Sequence, residues 1–373
     1  MVISSSTCCT LQLRQMADLP PVSIITPSYN QAAFLEQTIC SILGQSYPRI
    51  EYMLVDGGSS DGSVEIIQRY AHRLAWWVSE RDSGQAEAIN KGLRRASGEI
   101  VAWLNSDDLY LPGAVAQAVA AFQADPSLGL VYGDAITIDA HGKPLGRFAF
   151  GDWSLLDLAG FRIICQPAVF MRRSVLERAG YLEPSFHFML DHHLWIRMAR
   201  LAPVRHVAST SGPEPVLGLW AAARHHPGAK NVSQAAGFGR ETLEVLEWMK
   251  TQPDLAALIQ RNRRRVLAGA FRLNARYLLD DGLPKEALAS YWRALQYRPS
   301  FALKHAHRIA YAWLSLFGLK RMIDPLVSRL ASRQRRDLVD ALRQTRIASA
   351  PLDIPQPVEP VPLAGWPGID LNG

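Results

Sequence analysis

The stretch Glu99-Ile100-Val101-Ala102-Trp103-Leu104-Asn105-Ser106-Asp107-Asp108 decides the fold. Its apolar run has the length and composition of a buried strand, and it delivers two adjacent carboxylates to the point where that strand should end. Ligands of open α/β sheets bind outside the carboxyl ends of the strands. Neighbouring carboxylates repel each other, so one reading is a divalent cation held there against a diphosphate. The other is a helix N-cap, because Asp108 precedes Leu109-Tyr110-Leu111-Pro112 and Asp favours caps and turns.

Upstream, β-branched and apolar runs alternate with helical patterns. Val22-Ser23-Ile24-Ile25-Thr26 is strand-like and stops at Pro27-Ser28-Tyr29-Asn30, and Phe34, Leu35, Thr38, Ile39, Ile42 and Leu43 then fall at helical spacing. Glu51-Tyr52-Met53-Leu54-Val55 runs into Asp56-Gly57-Gly58-Ser59-Ser60-Asp61-Gly62, and a helix follows from Ser63. Trp76-Trp77-Val78-Ser79 is a third strand, residues 84–96 a third helix, and the run at 99–104 a fourth strand. This alternation predicts an α/β domain with a mostly parallel sheet flanked by helices. Downstream, the sequence predicts a helix at 113–123, strands at 129–134 and 169–171, and a helix at 191–201, followed by almost continuous helix from 234 to 346. Within that region Ala275, Gly282, Ala287, Tyr291, Ala294 and Pro299 match one tetratricopeptide-like helix hairpin.

Four segments, taken in order, resemble the family 2 glycosyltransferases. They are Val22–Asn30, Val55–Gly62, Asp82-Ser83-Gly84-Gln85-Ala86-Glu87-Ala88-Ile89-Asn90-Lys91-Gly92, and Asn105–Asp108, within a resemblance that covers about residues 20 to 225. It implies the GT-A nucleotide-sugar fold and inverting transfer from a nucleotide-sugar, with a UDP-sugar favoured. By the same resemblance Thr26 and Tyr29 border the base and ribose, and Asp56 accepts from the base edge. Asp82, Gly84 and Gln85 lie near the ribose, diphosphate and sugar. Asp107 and Asp108 hold Mg2+ or Mn2+ against the diphosphate, with Asp107 also touching the nucleotide-sugar. Asn105 stands where the family's D-x-D-D pattern begins with Asp, which puts more of the cation's protein charge on Asp107 and Asp108.

Leu190-Asp191-His192-His193-Leu194-Trp195-Ile196-Arg197 resembles the family segment E-D-x-D-L-W-x-R, which implies that Asp191 is the catalytic base. Leu190 and His193 replace acidic residues of that pattern; His192 and His193 are either a second base or exposed helix residues, and the latter reading is favoured. Asp191 could equally cap the helix. Gln166, after Cys165, matches a loop near the acceptor, and Arg224 and His226, with Ser233 beyond, match a segment that closes over the diphosphate.

The 373 residues suit a domain at 21–225, a helical region at 226–349, and flexible or disordered ends at 1–20 and in the Pro-rich 350–373. Met16 offers a second possible start. Four cysteines without CxxC spacing point to a reducing compartment, and the first residues make a poor signal peptide. No apolar stretch reaches the roughly 18 residues of a membrane span. Residues 226–373 hold 22 Lys and Arg against 13 Asp and Glu, a net +9, whereas residues 1–225 carry −3. Residues 303–330 are basic and amphipathic, with Ile309, Trp313, Leu316 and Phe317 against Lys304, Arg308, Lys320 and Arg321. Either this helix faces the core or it touches an anionic membrane. The expected partners are therefore a nucleotide-sugar, a saccharide or lipid-linked acceptor and an anionic membrane surface, with no nucleic acid. The expected location is the cytoplasm, peripheral at the inner face of the membrane. The expected role is surface polysaccharide or glycolipid synthesis. Two alternatives stand beside it. One is a non-catalytic nucleotide-sugar-binding or scaffold protein, left open by Asn105, Leu190 and His193. The other is a nucleotidyltransferase, which lacks support because no Gly-rich basic phosphate loop is present.

Overall fold

A computed structural model describes residues 19–148, 150–209 and 218–319. The β-branched run after Pro21 forms β1 (Val22–Ser28), buried along its whole length. The chain continues through α1 (Ala32–Leu43), β2 (Ile50–Asp56), α2 (Ser63–Tyr70), β3 (Trp76–Ser79), α3 (Gln85–Arg95) and β4 (Ile100–Trp103). Then come β5 (Leu109–Tyr110), α4 (Ala114–Ala124), β6 (Leu130–Ile138), β7 (Pro144–Phe148) and α5 (Leu155–Ala159). After these follow β8 (Val169–Arg172), α6 (Arg173–Ala179), α7 (Leu190–Ala199), β9 (Val204–Val207) and β10 (Leu219–Arg224).

Among the described residues one sheet runs in the order β3-β2-β1-β4-β8-β6-β10-β5, with β7 and β9 also paired to β6. Its first half, from β3 to β4, is parallel as the alternating pattern predicts. The second half is mixed, because β8 inserts antiparallel between β4 and β6, and β5 runs antiparallel to β10. The helix-cap reading of Asp108 fails here. Leu109–Tyr110 is a strand, and α4 starts only at Ala114, after Gly113 turns the chain at φ +81°.

Alternate residues of each strand feed two apolar layers. Ile24, Leu54 and Ala102 pack with Leu35, Ile39, Ile67, Val115 and Val119 of α1, α2 and α4. Ile25, Val55, Val101 and Trp103 face the opposite layer with Ile89 and Leu93 of α3 and Leu194 and Trp195 of α7. Gly92 lets α3 lie against β1, since a Cβ there would come within 2.6 Å of the Ile25 side chain.

The helical region comprises α8 (Lys230–Ser233), α9 (Ala235–Thr251), α10 (Pro253–Arg261), α11 (Arg263–Asp280), α12 (Pro284–Tyr297) and α13 (Phe301–Leu316). Val245, Leu246, Met249, Val266 and Leu273 join the same cluster as Trp103 and Trp195, so α9 and α11 complete one face of the sheet domain. α11 and α12 form a hairpin around Ala275, Ala287 and Tyr291, turned at Gly282 with φ +78°. Ala312 of α13 is buried against that hairpin, while Trp313, Leu316 and Phe317 are exposed. Among the described residues no helix is long and apolar enough to cross a membrane. The expectations for residues 1–18, for Lys320 and Arg321, and for the Pro-rich end lie outside the described residues.

Candidate active site

The loop that leaves β4 is fixed by side chains from four other segments. Asn105 is its hub. Its Oδ1 accepts from Gln85 Nε2 at 2.8 Å, and its Nδ2 donates to Asp108 Oδ2 at 3.2 Å and Gln166 Oε1 at 3.1 Å. Gln166 in turn donates from Nε2 to the Trp103 carbonyl at 2.7 Å. Three sequence-predicted residues, Gln85, Gln166 and Asp108, therefore meet at Asn105.

Asp107 and Asp108 take different partners. Asp108 is buried; its Oδ1 accepts from the Arg224 amide at 2.9 Å, and its carbonyl accepts from Thr38 Oγ1 at 2.8 Å. Burial, and then the charge of Asp107, push its carboxyl well above the usual carboxylate range. The Asp108 carboxylate has one oxygen on Asn105 and the other on the Arg224 amide, so both of its oxygens are tied into the protein. Arg224, matched in the sequence to a segment closing over the diphosphate, turns inward. Its guanidinium is buried, lies over the Phe34 ring, and donates to the Asp107, Asp139 and Ala140 carbonyls and to Gln37 Oε1. Those donors are spent on shaping the loop.

Asp107 instead meets His226. The imidazole Nε2 lies 3.1 Å from Asp107 Oδ2, and the ring packs against Phe34 at a centroid distance of 4.6 Å. A carboxylate oxygen and an imidazole nitrogen side by side are suitable donors for a Mn2+-type cation, with the other positions open to diphosphate and water. Among the described residues no group of three or more His, Cys, Asp or Glu side chains converges, so any cation site here depends on the substrate for further ligands.

The nucleotide end is built from the ends of β1 and β2. Tyr29 is 62% exposed. Thr26 is buried within β1 and accepts from the Tyr52 hydroxyl at 3.1 Å, so it supports the site from beneath. Asp56 is wholly buried and accepts from the Gly58 and Ser59 amides and from the Ser59 and Ser79 hydroxyls, at 2.5–3.1 Å. A base N–H would have to compete with the Ser59 hydroxyl for Asp56 Oδ1. Asp82 Oδ1 accepts from the Gly84 amide at 2.9 Å, and burial holds its carboxyl above the usual range. A Cβ at Gly57 would stand 2.8 Å from Asp82 Oδ2, so the first glycine of the Asp56 loop makes room for that carboxylate.

Beyond Gly84 and Gln85 a cleft of about 250 Å³ opens, walled by Phe186, Phe188 and Leu190 and edged by Lys230. Lys230 Nζ donates to Gln85 Oε1 at 3.2 Å. This cation was missed in the sequence, although it lies four residues past His226 in the segment already matched to diphosphate closure.

Asp191 occupies the first turn of α7, where it is half-buried. Its Oδ1 accepts from the His192 amide at 2.6 Å. Burial, with a smaller push from the Glu241 charge, raises its carboxyl to about 6. α7 begins two residues earlier than a cap at Asp191 requires, and Met189 occupies the N-cap position. His192 and His193 are buried, contrary to the sequence reading. His192 stacks on Phe161 with Nε2 3.0 Å from the Leu158 carbonyl, and His193 sits between Phe186 and Trp248. Burial drops their pKa values to about 4 and about 3, so both stay neutral at pH 7. Leu190 and His193 thus fill core space where the family pattern carries acids. Cys165 lies close enough to Asp108 and Asp191 for both charges to add to the effect of burial in raising its thiol.

Residues 23–179 match the sequence profile described as Glycosyl transferase family 2. An uncharacterised glycosyltransferase of Mycobacterium tuberculosis is 31% identical over 190 residues, covering 49% of this chain and 71% of that protein. The chain belongs to glycosyl transferase family 2. The putative teichuronic acid biosynthesis glycosyltransferase TuaG of Bacillus subtilis is 37% identical to this family 2 glycosyltransferase over 139 residues, covering 36% of this chain and 55% of TuaG. Among solved structures, S. aureus TarS 1–349 in complex with UDP-GlcNAc superposes with a TM-score of 0.54 at 16% identity, covering 83% and 92% of the two chains. A mannosyltransferase from Pyrobaculum calidifontis, in complex with GDP-Man and Mn2+, gives 0.52 at 20% identity, covering 88% and 94%. These likenesses establish the GT-A fold.

Proposed function

We propose that this family 2 glycosyltransferase is a metal-dependent, inverting enzyme that moves a sugar from a nucleotide-sugar to a saccharide or lipid-linked acceptor. The favoured donor is a UDP-sugar, and the favoured setting is surface polysaccharide or glycolipid synthesis, in keeping with the likeness to TuaG. The observation that carries the reading is the Asp107–His226 contact of 3.1 Å after β4, beside which stands an Asp191 carboxyl raised by burial to about 6 at the start of α7.

Asp107 and His226 would hold Mg2+ or Mn2+, which when bound neutralises charge developing on the departing diphosphate. Lys230, steered by Gln85, adds a cation at the same end. Asp191 takes the proton of the acceptor hydroxyl as that oxygen bonds to the anomeric carbon. The bond from that carbon to the diphosphate oxygen breaks on the opposite face, and the centre inverts. A base must be ionised, so transfer should rise with pH through about 6 and then level. For stability the sign is opposite. The folded carboxyl, raised from 3.8, binds its proton more tightly than the unfolded one, so its contribution present below about 4 is lost as pH climbs through about 6.

A screen of UDP-, GDP- and dTDP-sugars, scored by nucleotide release with Mn2+ or Mg2+, tests the reading. Asp107→Ala and Asp191→Ala should each lower transfer at least about a hundredfold in folded protein. Wild-type rates in both variants, or nucleotide binding without turnover of any donor, would reject it. The exposed Trp313, Leu316 and Phe317 extend the proposal to peripheral contact with an anionic membrane at its cytoplasmic face.

A further inference from the structure

The residues just before the base are gripped by a buried carboxylate on α9. Glu241 lies on α9 and is buried, yet forms no ion pair among the described residues. Its Oε1 accepts from the His187 amide at 2.7 Å, and its Oε2 accepts from the Phe188 and Met189 amides at 2.8 and 2.7 Å. These three successive amides lead into α7, where helix geometry leaves N–H groups unpaired and a partial positive charge accumulates. Met189, at the N-cap, supplies no side-chain cap of its own. Glu241 supplies the missing acceptors from more than fifty residues away in sequence.

One turn earlier on α9, Gly237 brings the helix against the same loop. A Cβ at that position would lie 2.5 Å from the Phe188 ring, and Phe238 packs on Phe188 with centroids 5.2 Å apart. The loop so fixed supplies Phe186, His187, Phe188 and Leu190 to the cleft and is followed at once by Asp191. A buried carboxylate is costly unless its oxygens are filled, and among the described residues the side-chain hydrogen bonds of Glu241 go to this one loop.

We propose that Glu241 is a positioning residue for the catalytic base: it locks residues 187–189 and so sets where Asp191 stands against the acceptor. This inference rests on Asp191 as the base. The groups facing Asp191 are Glu241 from α9, Tyr277 from α11 and Cys165 from the segment before β8, with the His192 amide beside it on α7. Of these, Glu241 is the group whose negative charge raises the proton affinity of Asp191, and the His192 amide opposes it. Removing that charge should therefore shift the pH limb of catalysis downward as well as loosen the loop.

The test compares wild type, Glu241→Gln and Asp191→Asn as full chains. Glu241→Gln keeps the size of the side chain but loses its charge and turns an N–H toward one of the three amides. The expected result is a folded protein with wild-type KM for the nucleotide-sugar, kcat lower by about tenfold to a hundredfold, and the lower limb of kcat/KM moved to lower pH. A merely structural role would change donor KM and kcat together and leave the limb in place, which would overturn the proposal. So would wild-type kcat and an unmoved limb in folded Glu241→Gln. If that variant does not fold, amide hydrogen exchange in the wild-type protein decides: slow exchange at His187, Phe188 and Met189 supports the lock, and exchange as fast as an open loop overturns it. Full activity in Asp191→Asn would instead reject the base itself, which keeps the two failures apart.

Discussion

An Asp at position 105 would set a second carboxylate 3.2 Å from Asp108 Oδ2 and remove the donor that reaches Gln166 Oε1. The amide of Asn105 both accepts and donates, which a carboxylate cannot do. This explains the departure from the acidic family pattern without a lost metal ligand, since Asn105 is a hub of the loop. Asn105→Asp is therefore expected to destabilise the protein by about 1–3 kcal/mol at pH 7, through the lost donor to Gln166 Oε1 and a new charge placed beside the buried Asp108. Urea denaturation would measure it, and an unchanged midpoint would refute the account. The same scale shows why Asp107 and Asp108 could not be told apart in the sequence. Both are Asp at a strand end, and only the amide of Arg224, over a hundred positions away, claims the second.

At the scale of elements, the strand ends place the chemistry and glycines set how closely the helices approach. α11 lies so near the end of α5 that a Cβ at Gly269 would stand 2.0 Å from the Gly160 carbonyl oxygen, an atom of the backbone that cannot swing aside. Gly269→Ala should thus cost about 1–3 kcal/mol by overpacking, despite the better helix propensity of Ala. A thermal melt checks this, and a gain in Tm would show that the two elements can part freely. The strands around β1 were legible because each is a short apolar run ended by Asp, Asn, Gly or Ser. β8 was legible as a strand, but its antiparallel direction was not, since direction depends on where the preceding loop brings the chain. The burial of His192 and His193 was equally hidden, because polar residues on a short helix read as exposed until Phe161 covers the first and Trp248 of α9 the second.

On the scale of the whole molecule, the sheet domain and the helices after it share one core. Val245, Leu246 and Met249 of α9 sit in the cluster of Trp103 and Trp195, and burying three such side chains is worth about 5–9 kcal/mol, comparable with the net stability of a domain. The helical region also concentrates positive charge, +9 over residues 226–373, and leaves Trp313, Leu316 and Phe317 exposed on α13. If this face meets an anionic membrane, the protein should cosediment with phosphatidylglycerol-containing vesicles at low salt. Binding should weaken as ionic strength rises to about 0.5 M, and Trp313→Ala should bind less. Equal binding to neutral vesicles, or none at low salt, would count against that surface.

The sequence by itself determined the α/β pattern, the family and the strand-end motifs, because strand periodicity and turn chemistry are local and survive without knowledge of the fold. It also placed Asp107, Asp191, Gln85 and Gln166 among the candidates. Only the tertiary structure decided which of these meet: Asp107 with His226, Asn105 with Gln85 and Gln166, Asp108 and Arg224 with the protein itself, and Glu241 with the loop before Asp191. Each of those pairings joins residues 20 or more positions apart, and what a carboxylate does depends on which donors the fold brings to it.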